Sequence, residues 1–141
     1  MTEVHKIDTR GPEVVSELQK LPSYTIGCVN WEEFPYRPEV NFRIGYSDEA
    51  LAILFEVKEE NIRAVTLDDC GPVWEDSCCE FFVENPSGEG YFNFELNCIG
   101  TLLAARRRSR TEFEFLSHFP IGLPSPDFHC PQFFQEISFR R

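Results

Sequence analysis

Residues 71–100, GPVWEDSCCEFFVENPSGEGYFNFELNCIG, carry polar groups at alternate positions. Glu80 stands in a first run among Cys79, Phe81 and Val83, and Asn93, Glu95 and Asn97 stand in a second among Phe92, Phe94, Leu96 and Cys98. Carboxylates accept hydrogen bonds, and amides both donate and accept, so such a row suits the hydroxyls of a sugar. Arg106, in alternation with Leu102 and Ala104, is expected to add a charged donor. Trp74 stands just before the first run, where its ring can stack on the C–H face of a pyranose. The other reading of the same row is an outer sheet face wetted by solvent.

Further chemistries compete for these residues. Glu80 and Glu95 could act as an acid and base pair on a glycosidic bond, but a strand surface is no cleft, and the chain has no GxSxG motif and no phosphate loop. Cys78 shares the polar face by alternation, and a carboxylate beside a thiol raises its pKa, which makes it a poor nucleophile. Three scattered histidines, His5, His118 and His129, and cysteines without a CxxC spacing do not make a zinc site. Cys78 and Cys79 are adjacent on a strand and point apart, so they do not bridge to one another, and free thiols are expected.

The elements that position the row follow from periodicity. Apolar residues at every second position from 78 to 84 and from 91 to 98 make two strands, and NPSGEG joins them as a hairpin. GTLLAARRRS continues as a third strand. Upstream, YTIGCVNW, NFRIGYS, ALAILFEVKE and NIRAVTL read as further strands, with Leu51, Ile53, Phe55 and Val57 of the fourth inward. GPEVVSELQKLP, between Pro12 and Pro22, is a peripheral helical turn or two. The last stretch, FPIGLPSPDFHCPQFFQEISFRR, has four prolines in twelve residues before a strand-like end. Short strands at regular spacing with little helix predict an all-β fold, an antiparallel β-sandwich.

At 141 residues the chain is expected to form a single domain spanning 1–141. Its formal net charge of −11 repels a nucleic-acid backbone, and the basic cluster Arg106, Arg107, Arg108 and Arg110 is short and flanked by acidic segments, so no nucleic-acid partner is expected. No apolar run approaches the roughly 20 residues that span a bilayer, so no membrane partner is expected either. The start, MTEVHKIDTRGPEVV, lacks the order of a secretory leader. A cytoplasmic location is expected for the chain as it stands, and an extracellular or periplasmic one if a leader was removed.

The run PVWEDSCCEFFVENP followed by GYFNFELNCIGTLLAARR resembles the family 9 carbohydrate-binding modules, and VNFRIGYSDEALAILFEVKEENIRAV fits their early strands. The resemblance covers roughly residues 22–108; its most specific part is the ordered series Trp74, Asp76, Ser77, Glu80, Phe82, Tyr91, Asn93, Phe94, Glu95, Asn97 and Gly100. It implies a carbohydrate-binding-module-like, DOMON-like β-sandwich that binds sugar, often at chain ends, without cleaving it. It implies Trp74 as one aromatic plate, Glu80 as a hydroxyl acceptor and Arg106 as a donor. The family's second plate comes from a strand near the C-terminus, whereas here no Trp follows Trp74 and residues 120–141 diverge, with Phe128, Phe133 or Phe134 as stand-ins. A sandwich incomplete at its C-terminus would expose a sheet edge, and a homodimer through that edge is expected. The resemblance also implies calcium, for which Asp68, Asp69, Glu75 and Asp76 offer hard oxygen ligands around one turn. The alternative functions are a degenerate sandwich serving protein interaction or oligomerisation, and a glycoside hydrolase accessory or carbohydrate-active enzyme.

Overall fold

The alternating runs become strands of two separate sheets. The computed structural model describes residues 2–8 and 13–116, and the backbone of 132–140. The chain divides into two compact units, Met1–Glu60 with Pro120–Arg141, and Asn61–Phe119. The described structure is all-β apart from one short helix and one 3-10 turn.

The first unit contains β1 (His5–Lys6), α1 (Val14–Gln19), β2 (Tyr24–Ile26), β3 (Glu39–Tyr46) and β4 (Ala50–Lys58). β3 and β4 form the expected hairpin, Phe42 opposite Phe55 and Ile44 opposite Ile53. Tyr24 lies opposite Phe42 on β2, and the three rings follow one another with centroids 5.6 and 6.2 Å apart. β4 is apolar on both faces, because Ala52 and Leu54, on the face opposite Ile53 and Phe55, pack against Val14 and Leu18 of α1. The helix is therefore not peripheral: burying Leu18, which is 1% exposed, contributes roughly 2 kcal/mol. Further along that face Arg43 pairs with Glu56, and Thr25 Oγ1 donates to Asn41 Oδ1 at 2.7 Å.

Two pairings in this sheet are parallel and were outside the hairpin reading: β1 runs beside β3, and β9 (Gln132–Arg140) runs beside β4 from Ala50 to Lys58. The most apolar strand is thus paired on both sides, and the open edge behind the dimer expectation does not lie at β4.

The second unit is an antiparallel meander of β5 (Cys78–Glu84), β6 (Tyr91–Asn97), β7 (Leu102–Arg107) and β8 (Phe113–Phe115), in that order. The β5–β6 hairpin closes through Asn85 N–H to Gly90 O at 3.0 Å and Gly88 N–H to Asn85 O at 2.8 Å. Gly90 has φ +80°, and a Cβ there would run into the carbonyl of Arg107. Gly90→Ala is therefore expected to destabilise the protein by at least about 2 kcal/mol, read as a lowered denaturation midpoint in urea.

Residues 61–67, expected as a strand, are irregular. Their backbone groups bond elsewhere: Val65 and Thr66 N–H donate to the Asp76 carboxylate, Arg63 O accepts from Ser77 N–H, and Thr66 O accepts from the side chains of Asn97 and Thr101. A segment whose donors and acceptors are met in this way has none left for a ladder.

Candidate functional site

The site is built on one face of the second unit's sheet. Register places Cys78 opposite Asn97, Glu80 opposite Glu95 and Phe82 opposite Asn93, so the expected row does share a face. On β7 the same face takes Leu103, Ala105 and Arg107, since Glu95 pairs with Leu103 and Asn93 with Ala105. Across it lie Phe113 and Phe115 of β8. A 3-10 turn, Val73–Glu75, leads into β5. Val73 is fully buried against Leu103 and Ala105, with Cys78 beside them. That contact anchors the turn on the sheet and leaves Trp74, the next residue, 54% exposed.

Beside this anchor the polar groups are poorly satisfied. Asn93 is 1% and Glu95 6% exposed, yet Asn93 Nδ2 and Glu95 Oε2 make no hydrogen bond of ordinary geometry, the Asn93 amide only drawing the Glu95 carboxyl down weakly. A buried polar atom without a partner costs stability, and binding sites are one place where such atoms persist. Arg107 reaches into the row, its Nε donating to Asn93 Oδ1 at 2.9 Å and its guanidinium standing 4.6 Å from the centre of the Phe113 ring. Burial pushes the Glu80 carboxyl up, with Arg107 pulling the other way. Burial and then the facing Glu80 push Glu95 up. The Cys78 thiol is pushed up to about 12, by burial first and by Glu80 and Glu95 next, which makes it a poor nucleophile.

Raised carboxyl pKa values have a sign that can be tested. A carboxyl whose folded pKa lies above its unfolded one loses stability as pH rises between the two. Glu95→Gln is thus expected to raise the melting temperature at neutral pH and to change it little at about pH 3, where the carboxyl is protonated in both the folded and unfolded states, in thermal denaturation series across pH.

The family model for carbohydrate-binding family 9 matches residues 11–114. The chain belongs to that family. It is also similar to a proposed carbohydrate-binding protein from Bacteroides uniformis ATCC 8492, known from a crystal structure at 2.70 Å resolution, with 36% identity and a TM-score of 0.74. The likeness covers 82% of this chain and 55% of that one, so the chain spans little more than half the length of its solved neighbour. No curated protein matches it. Family membership agrees with the resemblance drawn from Trp74 and the row after it, and the β-sandwich class expected for the chain is the family's.

Within this family 9 chain, one expected site residue is misplaced. Arg106 pairs with Phe92 and lies on the apolar face with Leu102 and Ala104, where its guanidinium is 3.9 Å from Glu89. Arg107 takes the place foreseen for it. The turn between Asn97 and Thr101 sets odd-numbered residues of β7 opposite odd-numbered residues of β6. The apolar character of Leu102 and Ala104 already carried that signal. Arg107→Ala is accordingly expected to weaken sugar binding about tenfold and Arg106→Ala to leave it unchanged, as read by calorimetric titration of the two variants.

Asn97 shares the face but is fully buried, donating to Thr66 O at 2.9 Å and Asp76 Oδ2 at 3.0 Å. Its Oδ1 accepts from Ile99 and Thr101 N–H at 3.2 and 2.9 Å. It therefore binds the protein's own backbone, with no group left for a ligand. The acidic residues proposed for calcium do not converge. Asp76 accepts from Val65 and Thr66 N–H and lies 3.5 Å from Arg63 Nε, while Asp69 Oδ1 accepts from Leu102 N–H at 2.9 Å. Asp68 is exposed, and among the described residues no three His, Cys, Asp or Glu side chains are grouped to hold a metal.

Burial would raise the Asp76 carboxyl, but hydrogen bonds from the Thr66 and Val65 amides and from Asn97 hold it below its ordinary value. Cys28, Cys70 and Cys78 are free thiols. Phe128, and the side chains of Phe133 and Phe134, lie outside the described residues.

Proposed function

We propose that the chain is a non-catalytic carbohydrate-binding module that holds a sugar on this sheet face. Trp74 stacks on the pyranose ring, Glu80 accepts hydroxyl hydrogen bonds, and Asn93, Glu95 and Arg107 complete the polar surface. The observation that carries this reading is the exposed Trp74, fixed by Val73 beside the buried, unpartnered Asn93 Nδ2 and Glu95 Oε2. Phe82, 53% exposed, and Phe113, 45% exposed, lie on the same face and offer apolar contact of the kind a second plate supplies. The absence of catalysis is part of the proposal: Glu80 and Glu95 face each other on adjacent strands and project from the same sheet face, not from opposite sides of a scissile bond.

The test is calorimetric titration of the folded chain with glucose, xylose, galactose, cellobiose and xylobiose. Saturable heat with at least one is expected; release of monosaccharide from either disaccharide would move the protein to the enzymes. A homodimer is a separate proposal. Its contact would be β5, a terminal strand of the second sheet, and a single monomeric boundary in sedimentation at micromolar concentration would count against it.

A further inference from the structure

We propose, building on the sugar-binding reading above, that this face selects an amino sugar, whose protonated amine docks against Glu80 and is held by the negative field of Glu80 and Glu95 together. The register sets these carboxylates directly opposite one another on β5 and β6, which brings their Cβ atoms to about 5 Å apart. Two like charges at that spacing repel one another unless a cation joins them.

The protein does not supply that cation in full. Among the described residues neither Glu80 nor Glu95 forms an ion pair. Arg107 is the cation facing them, but its Nε is turned to Asn93 Oδ1 and its Nη1 to Arg110 O, and its plane lies over Phe113. Of the other titratable groups on this face of β5, Cys78 stays neutral and Glu84, opposite Tyr91, adds a further carboxylate. A second observation points to a ligand: Glu95 is 94% buried with Oε2 unpartnered. The surface is therefore rich in acceptors and one positive charge short. An ammonium group supplies both the charge and three donors, a neutral hydroxyl supplies one donor, and a carboxylate adds a third negative charge.

The experiment is calorimetric titration of the full chain with glucose, glucosamine and glucuronate at about pH 6.5, where the amine is protonated and its approach favours the ionised carboxylates. Glucosamine is expected to bind about tenfold tighter than glucose, and glucuronate more weakly than either. The preference should shrink as salt is raised. Glu95→Gln should bring glucosamine to within about threefold of glucose, both affinities read on the same variant. Equal affinity for glucose and glucosamine in the unmodified protein would overturn the inference, as would a preference that neither salt nor Glu95→Gln reduces. No heat with any of the three sugars, from folded protein, would instead overturn the sugar-binding reading and take this inference down with it. Should Glu95→Gln fail to fold, Glu80→Gln and the salt series on the unmodified chain carry the same test.

Discussion

Replacing Asn97 with Ala is expected to destabilise the protein by about 3 kcal/mol, a fall of roughly 10 °C in melting temperature for a chain of this size. The side chain is fully buried and binds in four directions: Thr66 O, Asp76 Oδ2, and the N–H groups of Ile99 and Thr101. Truncation leaves the Ile99 and Thr101 N–H groups without their acceptor and takes one donor each from Thr66 O and Asp76, which keep others; an orphaned buried polar group costs about 1–3 kcal/mol. The irregular segment through Thr66 depends on the same bonds, so the loss should spread along it. There is also an acid signature. Asp76 is held below its ordinary pKa partly by Asn97, so its contribution is present above the unfolded carboxylate value and is lost as pH falls through the depressed one. Without Asn97 the depression is smaller, so the acid-dependent loss should be smaller and complete at higher pH. Urea denaturation at neutral and acid pH reads both effects; a variant as stable as the parent would show that the amide is not structural.

The contrast between Asn97 and its neighbours on the row marks what the sequence could reveal. Alternation alone identified β5, β6 and β7, and the face shared by Glu80, Asn93 and Glu95, because a period of two leaves each residue one of two sides. It could not separate a polar residue that serves the fold from one that serves a ligand. Asn97 looks like Asn93 in sequence, and only the arrival of residues 65–66 and Asp76 over that end of the sheet consumes its bonds.

The Arg106 assignment failed for a different reason: the parity of a strand after a turn depends on how many residues the turn holds. The segment 61–67 has the β-branched and apolar residues of a strand, but propensity does not reveal a buried carboxylate that captures its amides. Helix α1 was visible as a stripe; that Leu18 would be buried on Ala52 and Leu54 was not, since nothing local shows which sheet face a short helix will cover.

The second large effect concerns binding. Trp74→Ala is expected to reduce sugar affinity by at least about tenfold while leaving stability nearly unchanged. The indole is more than half exposed, and it is Val73, not Trp74, that packs on Leu103 and Ala105 to hold the turn in place. Removing the ring should therefore leave the turn and the carboxylates where they are and delete the apolar plate alone. Val73→Ala should do the reverse, lowering stability through the cavity it opens.

The measurement that bears most directly on the central claim is a parallel calorimetric titration of the parent chain and Trp74→Ala with the tightest-binding sugar of the panel, with equal thermal stability of the two confirmed beforehand. The account predicts a saturable isotherm for the parent and heat near baseline for the variant. Equal affinity in both proteins would contradict it and place the sugar somewhere other than this face.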